Sequence, residues 1–155
     1  MSYTILYVED ESAIIELVEL VVKHPDITLF SAFSAEHGLK LIRDKKPDLV
    51  ILDVMMPDRS GWSVYAELRD DANLGNLPII MLTGQMHLYK VKKDFEKSTV
   101  DAYITKPFDV SAIRTEIEKM LRIPFWSKPR DNALKSKTRK SKAAKTRSGH
   151  ERKSD

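Results

Sequence analysis

A pair of adjacent acids, a lone acid, a threonine and a lysine each stand directly behind a short apolar run. Ile5-Leu6-Tyr7-Val8 leads into Glu9-Asp10, Leu49-Val50-Ile51-Leu52 into Asp53, Ile79-Ile80-Met81-Leu82 into Thr83, and Ala102-Tyr103-Ile104-Thr105 into Lys106-Pro107. Three carboxylates brought together repel and raise one another's pKa unless a divalent cation neutralises them. A donor set of oxygens without His or Cys selects a hard ion, Mg²⁺ in preference to zinc, with waters completing an octahedral shell. Such an ion would join one carboxylate to an incoming phosphoryl group, while Thr83 bonds one phosphoryl oxygen and Lys106 neutralises another. A carboxylate nucleophile such as Asp53 would then carry an aspartyl phosphate.

For these residues to meet, the runs that precede them must lie side by side. Runs of four or five apolar, β-branched or aromatic residues separated by long amphipathic stretches read as buried strands of a parallel sheet. Ligands of such sheets bind beyond the carboxyl ends of the strands. Between the runs, Ser12 is placed to cap a helix with Ile14, Leu17, Val18, Val21 and Val22 inward, stopped at His24-Pro25. Ile27 to Phe33 reads as a strand nearer the sheet edge, and Ser34 caps a helix with Ala35, Gly38, Leu39 and Ile42 inward. Trp62 to Arg69 is a short helix, Leu88, Val91 and Phe95 outline a weaker lysine-rich one, and a last helix from Asp109 turns Val110, Ile113, Ile117, Met120 and Leu121 inward. The expectation is an α/β domain with a five-stranded, parallel, doubly wound sheet and five helices on its two faces.

The 155 residues, 42% of them hydrophobic, suffice for one ordinary core with length left over. No apolar stretch reaches the roughly 20 residues that span a bilayer, and the N-terminus lacks the basic flank and cleavage site of a signal peptide, so a cytoplasmic protein without a membrane span is expected. The absence of cysteine excludes a disulfide framework, a thiolate metal site and a cysteine nucleophile. The net charge of +3 conceals a division: residues 128–155 carry 11 Lys or Arg against 3 Asp or Glu, leaving the remainder acidic. We therefore expect a domain over residues 1–123 and a basic, disordered tail over 124–155.

The order of motifs resembles the receiver domain of two-component response regulators. The resemblance rests on Glu9-Asp10, on Asp53 with Val54-Met55-Met56-Pro57 and Ser60-Gly61 behind it, on Thr83-Gly84, and on Tyr103-Ile104-Thr105-Lys106-Pro107-Phe108, and it covers about residues 2 to 122. It implies the flavodoxin-like strand order 2-1-3-4-5 and a phosphoryl group accepted on Asp53 from a histidine kinase or histidine phosphotransfer protein. It further implies direct Mg²⁺ ligation by Asp10, Asp53 and the backbone carbonyl of Met55, with Glu9 acting mostly through water. Thr83 and Tyr103 match the pair that reports phosphorylation, Lys106 the residue that pairs with the phosphoryl oxygens, and the Lys106-Pro107 bond is often cis in this family. A downstream target protein would bind the face of the fourth helix, fifth strand and fifth helix. Such a chain is a phospho-acceptor with at most slow self-dephosphorylation, not an enzyme.

Taken singly, Asp10 as a helix cap, Asp53 as a turn residue or Thr83 as a loop-satisfying hydroxyl are the ordinary readings. Their joint occurrence at the ends of four strands favours the phosphoryl site. His24, His37, His87 and His150 share no metal-ligand spacing. Two rivals are weighed against the single-domain response regulator. One is a receiver-regulated nucleic-acid-binding protein whose tail makes a non-specific contact. The other is a hydrolase using Asp53 as nucleophile, disfavoured because no substrate-enclosing cap is evident in the sequence.

Overall fold

In this computed structural model the described residues are 2–84, 102–106 and 109–127. The chain divides into two units, residues 1–125 and 126–155. The first unit holds the strands β1 (Tyr3–Val8), β2 (Ile27–Ala32), β3 (Leu49–Asp53), β4 (Ile79–Gly84) and β5 (Ala102–Lys106). It also holds the helices α1 (Ser12–Val21), α2 (Ala35–Lys45), α3 (Gly61–Asp70) and α4 (Val110–Leu121).

The expected strand order is borne out: one parallel sheet runs β2-β1-β3-β4-β5. Its centre is β3, whose five residues are all buried, as a strand covered on both faces must be. Side chains alternate along each strand, so the register assigns the two faces. Leu6, Val8, Val50, Leu52, Ile79 and Met81 pack with Ala35, Leu39 and Ile42 of α2 and Val64, Tyr65 and Leu68 of α3. The alternate positions Ile5, Tyr7, Leu49, Ile51, Ile80 and Leu82 are buried on the opposite face. There α4 contacts both β3 and β5 and also touches α1.

The expectation of five helices is corrected to four among the described residues. The remaining one was to have been built on Leu88, Val91 and Phe95, a thin apolar face set among Lys90, Lys92 and Lys93, and that stretch lies outside the described residues. Helix α1 also differs from expectation. Its first residue is Ser12 and its N-cap position is Glu11, without a side-chain cap. It buries Ile15, Val18 and Val21, with the C-cap Val22 buried behind them, and leaves Leu17 46% and Leu20 71% exposed. Apolar residues occur almost all round this helix, so their spacing does not fix which stripe faces the sheet. By contrast α2 follows its pattern: Ser34 caps it by accepting from the His37 amide, and Ala35, Gly38, Leu39 and Ile42 are its buried residues.

The loop between β3 and α3 is tied down on both sides. Gly61 opens α3 so close to the end of β3 that a Cβ there would stand 2.3 Å from the Asp53 carbonyl oxygen, which restricts the position to glycine. Asp58 reaches back to α2 and accepts from the amides of Ala35 and Glu36, both at 3.1 Å. Together with the Ser34 hydroxyl on His37, this satisfies three otherwise orphaned amides of the first turn of α2, and the Ser34 carbonyl accepts the first regular helix bond from Gly38. Among the described residues no helix is long and apolar enough to cross a membrane.

Candidate functional site

Parallel strands bring their carboxyl ends to one edge, and the register decides which terminal residues share a face. Val8 pairs with Leu52, so Glu9 follows β1 level with Asp53 at the end of β3. Both follow the alternation of Tyr7 and Ile51, on the face covered by α1 and α4. Gly84 pairs with Lys106, and Leu82 with Ile104, which places Lys106 on that same face at the end of β5. Residues distant in sequence therefore converge because three strands end together.

Glu9 is fully buried and Asp53 is 3% exposed, the two buried charged residues among those described. Carboxylate oxygens of Glu9, Asp10 and Asp53 lie within 4.8 Å of one another, with Asp10 at the exposed rim. Lys106 Nζ donates to Glu9 Oε2 at 2.7 Å and stands 3.4 Å from Asp53 Oδ2. The Tyr7 hydroxyl also donates to Glu9 Oε2, at 3.0 Å. The other oxygen, Glu9 Oε1, is buried without a hydrogen-bond partner. Asp53 Oδ1 accepts from the Met55 amide at 3.2 Å, which folds the loop back over the acid.

One ammonium is too little for these carboxylates. Burial and then the charge of Glu9 push Asp53 up to about 7, against the opposing pull of Lys106 and the Met55 amide. For Lys106, burial would lower the ammonium's pKa, but its hydrogen bond to Glu9 and the charge of Asp53 outweigh this and raise it. A buried carboxylate oxygen without a donor and an aspartate held in a partly neutral state both signal missing positive charge. The all-oxygen donor set fits a hard divalent cation such as Mg²⁺.

The structure thus brings together Glu9, Asp10, Asp53 and Lys106, with Met55 on the adjoining loop. Thr83 lies in β4, one residue beyond Leu82, the register partner of Asp53, and pairs with Thr105. Tyr103 pairs with Met81 and packs against the core of the opposite face, half-buried, so it does not share the acid cluster's side of the sheet. The Lys106-Pro107 linkage, the stretch 85–101, and residues 128–155 fall outside the described residues. Reading the terminal residues of the strands missed Tyr7 and Asp58. Tyr7 was legible as an apolar strand residue, and only its position two residues before Glu9 hinted that its hydroxyl faces the same way.

Comparison with known proteins agrees with this arrangement. A family model described as the response regulator receiver domain matches residues 5–118. The regulatory protein VanR of Enterococcus faecium is 37% identical over 129 residues, covering 79% of this chain and 51% of its own length. The crystal structure of the receiver domain of NtrX from Brucella abortus superposes with a TM-score of 0.68 at 26% identity, covering 76% of this chain and 98% of that one. The chemotaxis response regulator CheY4 of Vibrio cholerae shares the fold, with a TM-score of 0.70 at 21% identity over 77% of this chain and 99% of its own. The chain spans about half the length of the curated relative VanR.

Proposed function

The chain belongs to the response regulator receiver domain family, and from that premise we propose that it accepts a phosphoryl group on Asp53 and signals through a protein contact biased by that modification. The observation that carries this is the setting of Asp53: nearly buried at the end of β3, clustered with Glu9 and Asp10, and faced by the Lys106 ammonium. The phosphoryl donor is a phosphohistidine of a histidine kinase or histidine phosphotransfer protein.

Asp10, Asp53 and the Met55 carbonyl would hold Mg²⁺, with Glu9 supporting it. Mg²⁺ when bound supplies the positive charge that lets anionic carboxylates and anionic phosphoryl oxygens approach. Asp53 in its ionised form attacks phosphorus: a P–O bond forms while the P–N bond to the donor imidazole breaks, and the nitrogen keeps the bonding pair. Lys106, already charged, shifts its ammonium towards a phosphoryl oxygen. Thr83 contributes its hydroxyl to another oxygen, and Tyr103 turns inward behind it as the switch.

Residues 1–123 form the receiver and 124–155 a basic tail. The target protein docks on the side of β5 and α4, where Tyr103, Thr105, Asp109, Ala112 and Glu116 line a groove of about 420 Å³. The tail's 11 Lys or Arg against 3 acids support a second reading, a non-specific nucleic-acid contact added to the receiver. Loss of a steeply salt-dependent DNA affinity on removing residues 128–155 tests it. The protein works in the cytoplasm in either case.

The test of the main reading is intact-mass spectrometry after incubation with acetyl phosphate and Mg²⁺, beside Asp53→Asn and an EDTA control. One phosphoryl adduct that requires both Asp53 and Mg²⁺ is expected. An adduct retained by Asp53→Asn would overturn the acceptor assignment.

A further inference from the structure

We infer that Tyr7 is a positioning residue of the cation site, holding Glu9 so that one carboxylate oxygen is saturated and the other is left for a divalent cation or a water bound to it. The inference deepens the proposed function and rests on its reading of the acid cluster. Tyr7 has no solvent exposure and is among the largest fully buried side chains. It sits two residues before Glu9, on the same face of β1. A phenol at that depth needs a hydrogen-bond partner, and its hydroxyl donates to Glu9 Oε2 at 3.0 Å.

The division of labour on Glu9 carries the argument. Two donors converge on Oε2, the neutral Tyr7 hydroxyl and the Lys106 ammonium at 2.7 Å. No donor reaches Oε1, although it is equally shut off from water. A glutamate has one more rotatable bond than an aspartate, so a ligating glutamate loses more freedom on binding unless it is already fixed. With Oε2 held from two sides, the carboxylate cannot swing, and it keeps one oxygen within 4.8 Å of carboxylate oxygens of Asp10 and Asp53. Groups that hold a metal-binding side chain in this way typically set affinity by about 10- to 100-fold.

The test is a double-mutant cycle on Mg²⁺ affinity, measured by titration calorimetry on the full chain without any phosphodonor. Tyr7→Phe keeps the ring and removes the hydrogen bond, and it should weaken Mg²⁺ binding roughly tenfold. In a Glu9→Ala background, or in Glu9→Met should that variant not fold, the same change should alter affinity less than twofold. Urea unfolding in EDTA and in saturating Mg²⁺ separates positioning from structure, because a merely structural tyrosine would shift both midpoints equally. Unchanged Mg²⁺ affinity in Tyr7→Phe, or an equal loss with and without Glu9, overturns the inference while leaving the receiver reading intact. Failure of the wild-type chain to bind Mg²⁺ would instead overturn both.

Discussion

The ammonium of Lys106 lies 2.7 Å from Glu9 Oε2, across 97 positions of sequence. This pair joins an edge strand to a strand inside the sheet, and it leaves Asp53 with only a longer, 3.4 Å share of the same cation. The balance of charge at the site follows from that unequal sharing.

Because burial and Glu9 hold Asp53 at about 7, the metal-free folded chain keeps a proton that the unfolded chain has already released. The folded state therefore binds more protons between the ordinary carboxylate value and about pH 7, and stability falls as pH rises through that window. The expected loss attributable to this group is on the order of a few kcal/mol. Urea midpoints in EDTA from about pH 5 to about pH 8 should show the decline in the wild type and a flatter profile in Asp53→Asn. Equal slopes in the two proteins would contradict the assignment.

The same proton competes with the cation. Apparent Mg²⁺ affinity should rise by up to about tenfold per pH unit below about 7 and level off above it. Calorimetry in buffers of different ionisation enthalpy should register proton release near pH 6 and little near pH 8.5, both values being about one to one and a half units from the midpoint. A pH-independent affinity would place the bound cation away from Asp53.

Lys106→Met removes one partner of a largely buried ion pair, which costs about 3 kcal/mol when the remaining charges stay behind. That loss should be seen by denaturation in EDTA. Mg²⁺ no longer competes with a resident ammonium, so its affinity should increase severalfold. The variant should still acquire the phosphoryl adduct on Asp53 yet fail to transmit it to a target, as read by adduct mass and by target binding.

Gly61→Ala places a methyl group against the Asp53 carbonyl oxygen, 2.3 Å away before any adjustment. The contact is with backbone and cannot be relieved by a rotamer change. Destabilisation of about 1 to 3 kcal/mol is expected, as for other overpacked sites, together with weaker Mg²⁺ binding as the end of β3 shifts. Thermal unfolding with and without Mg²⁺ checks both.

Asp58→Ala leaves the amides of Ala35 and Glu36 without their acceptor. A lost cap costs about 0.5 to 2 kcal/mol, and Asp58→Asn should recover part of it. The backbone hydrogen bonds outweigh burial and hold Asp58 below the usual carboxylate range. Its contribution is therefore present above the unfolded carboxylate value and lost as pH falls through the lowered folded one.

Much of this was legible in the chain because strand ends are punctuated by chemistry. Four apolar runs ending in Glu9-Asp10, Asp53, Thr83 and Lys106 gave the sheet, its order through the family resemblance, and the edge where the charges meet. Helix α2 was legible too, since Ser34 and the spacing of Ala35, Leu39 and Ile42 agree on one face. Helix α1 was not: with Ile14, Ile15, Leu17, Val18, Leu20 and Val21 nearly encircling it, packing alone decides that Ile15 goes in and Leu17 stays out. The roles of Tyr7 and Asp58 were hidden for a different reason. Each depends on which oxygen accepts from which donor, and residue spacing does not specify that.

The bond from Asp58 to α2 also turns two backbone amides into observers of a reaction they take no part in. Ala35 and Glu36 report, through their chemical shifts and exchange with solvent, on the loop that begins at Asp53. An experimenter who labels only these amides gains a readout of the acceptor loop that needs no dye, no added tag and no change to any residue of the acid cluster.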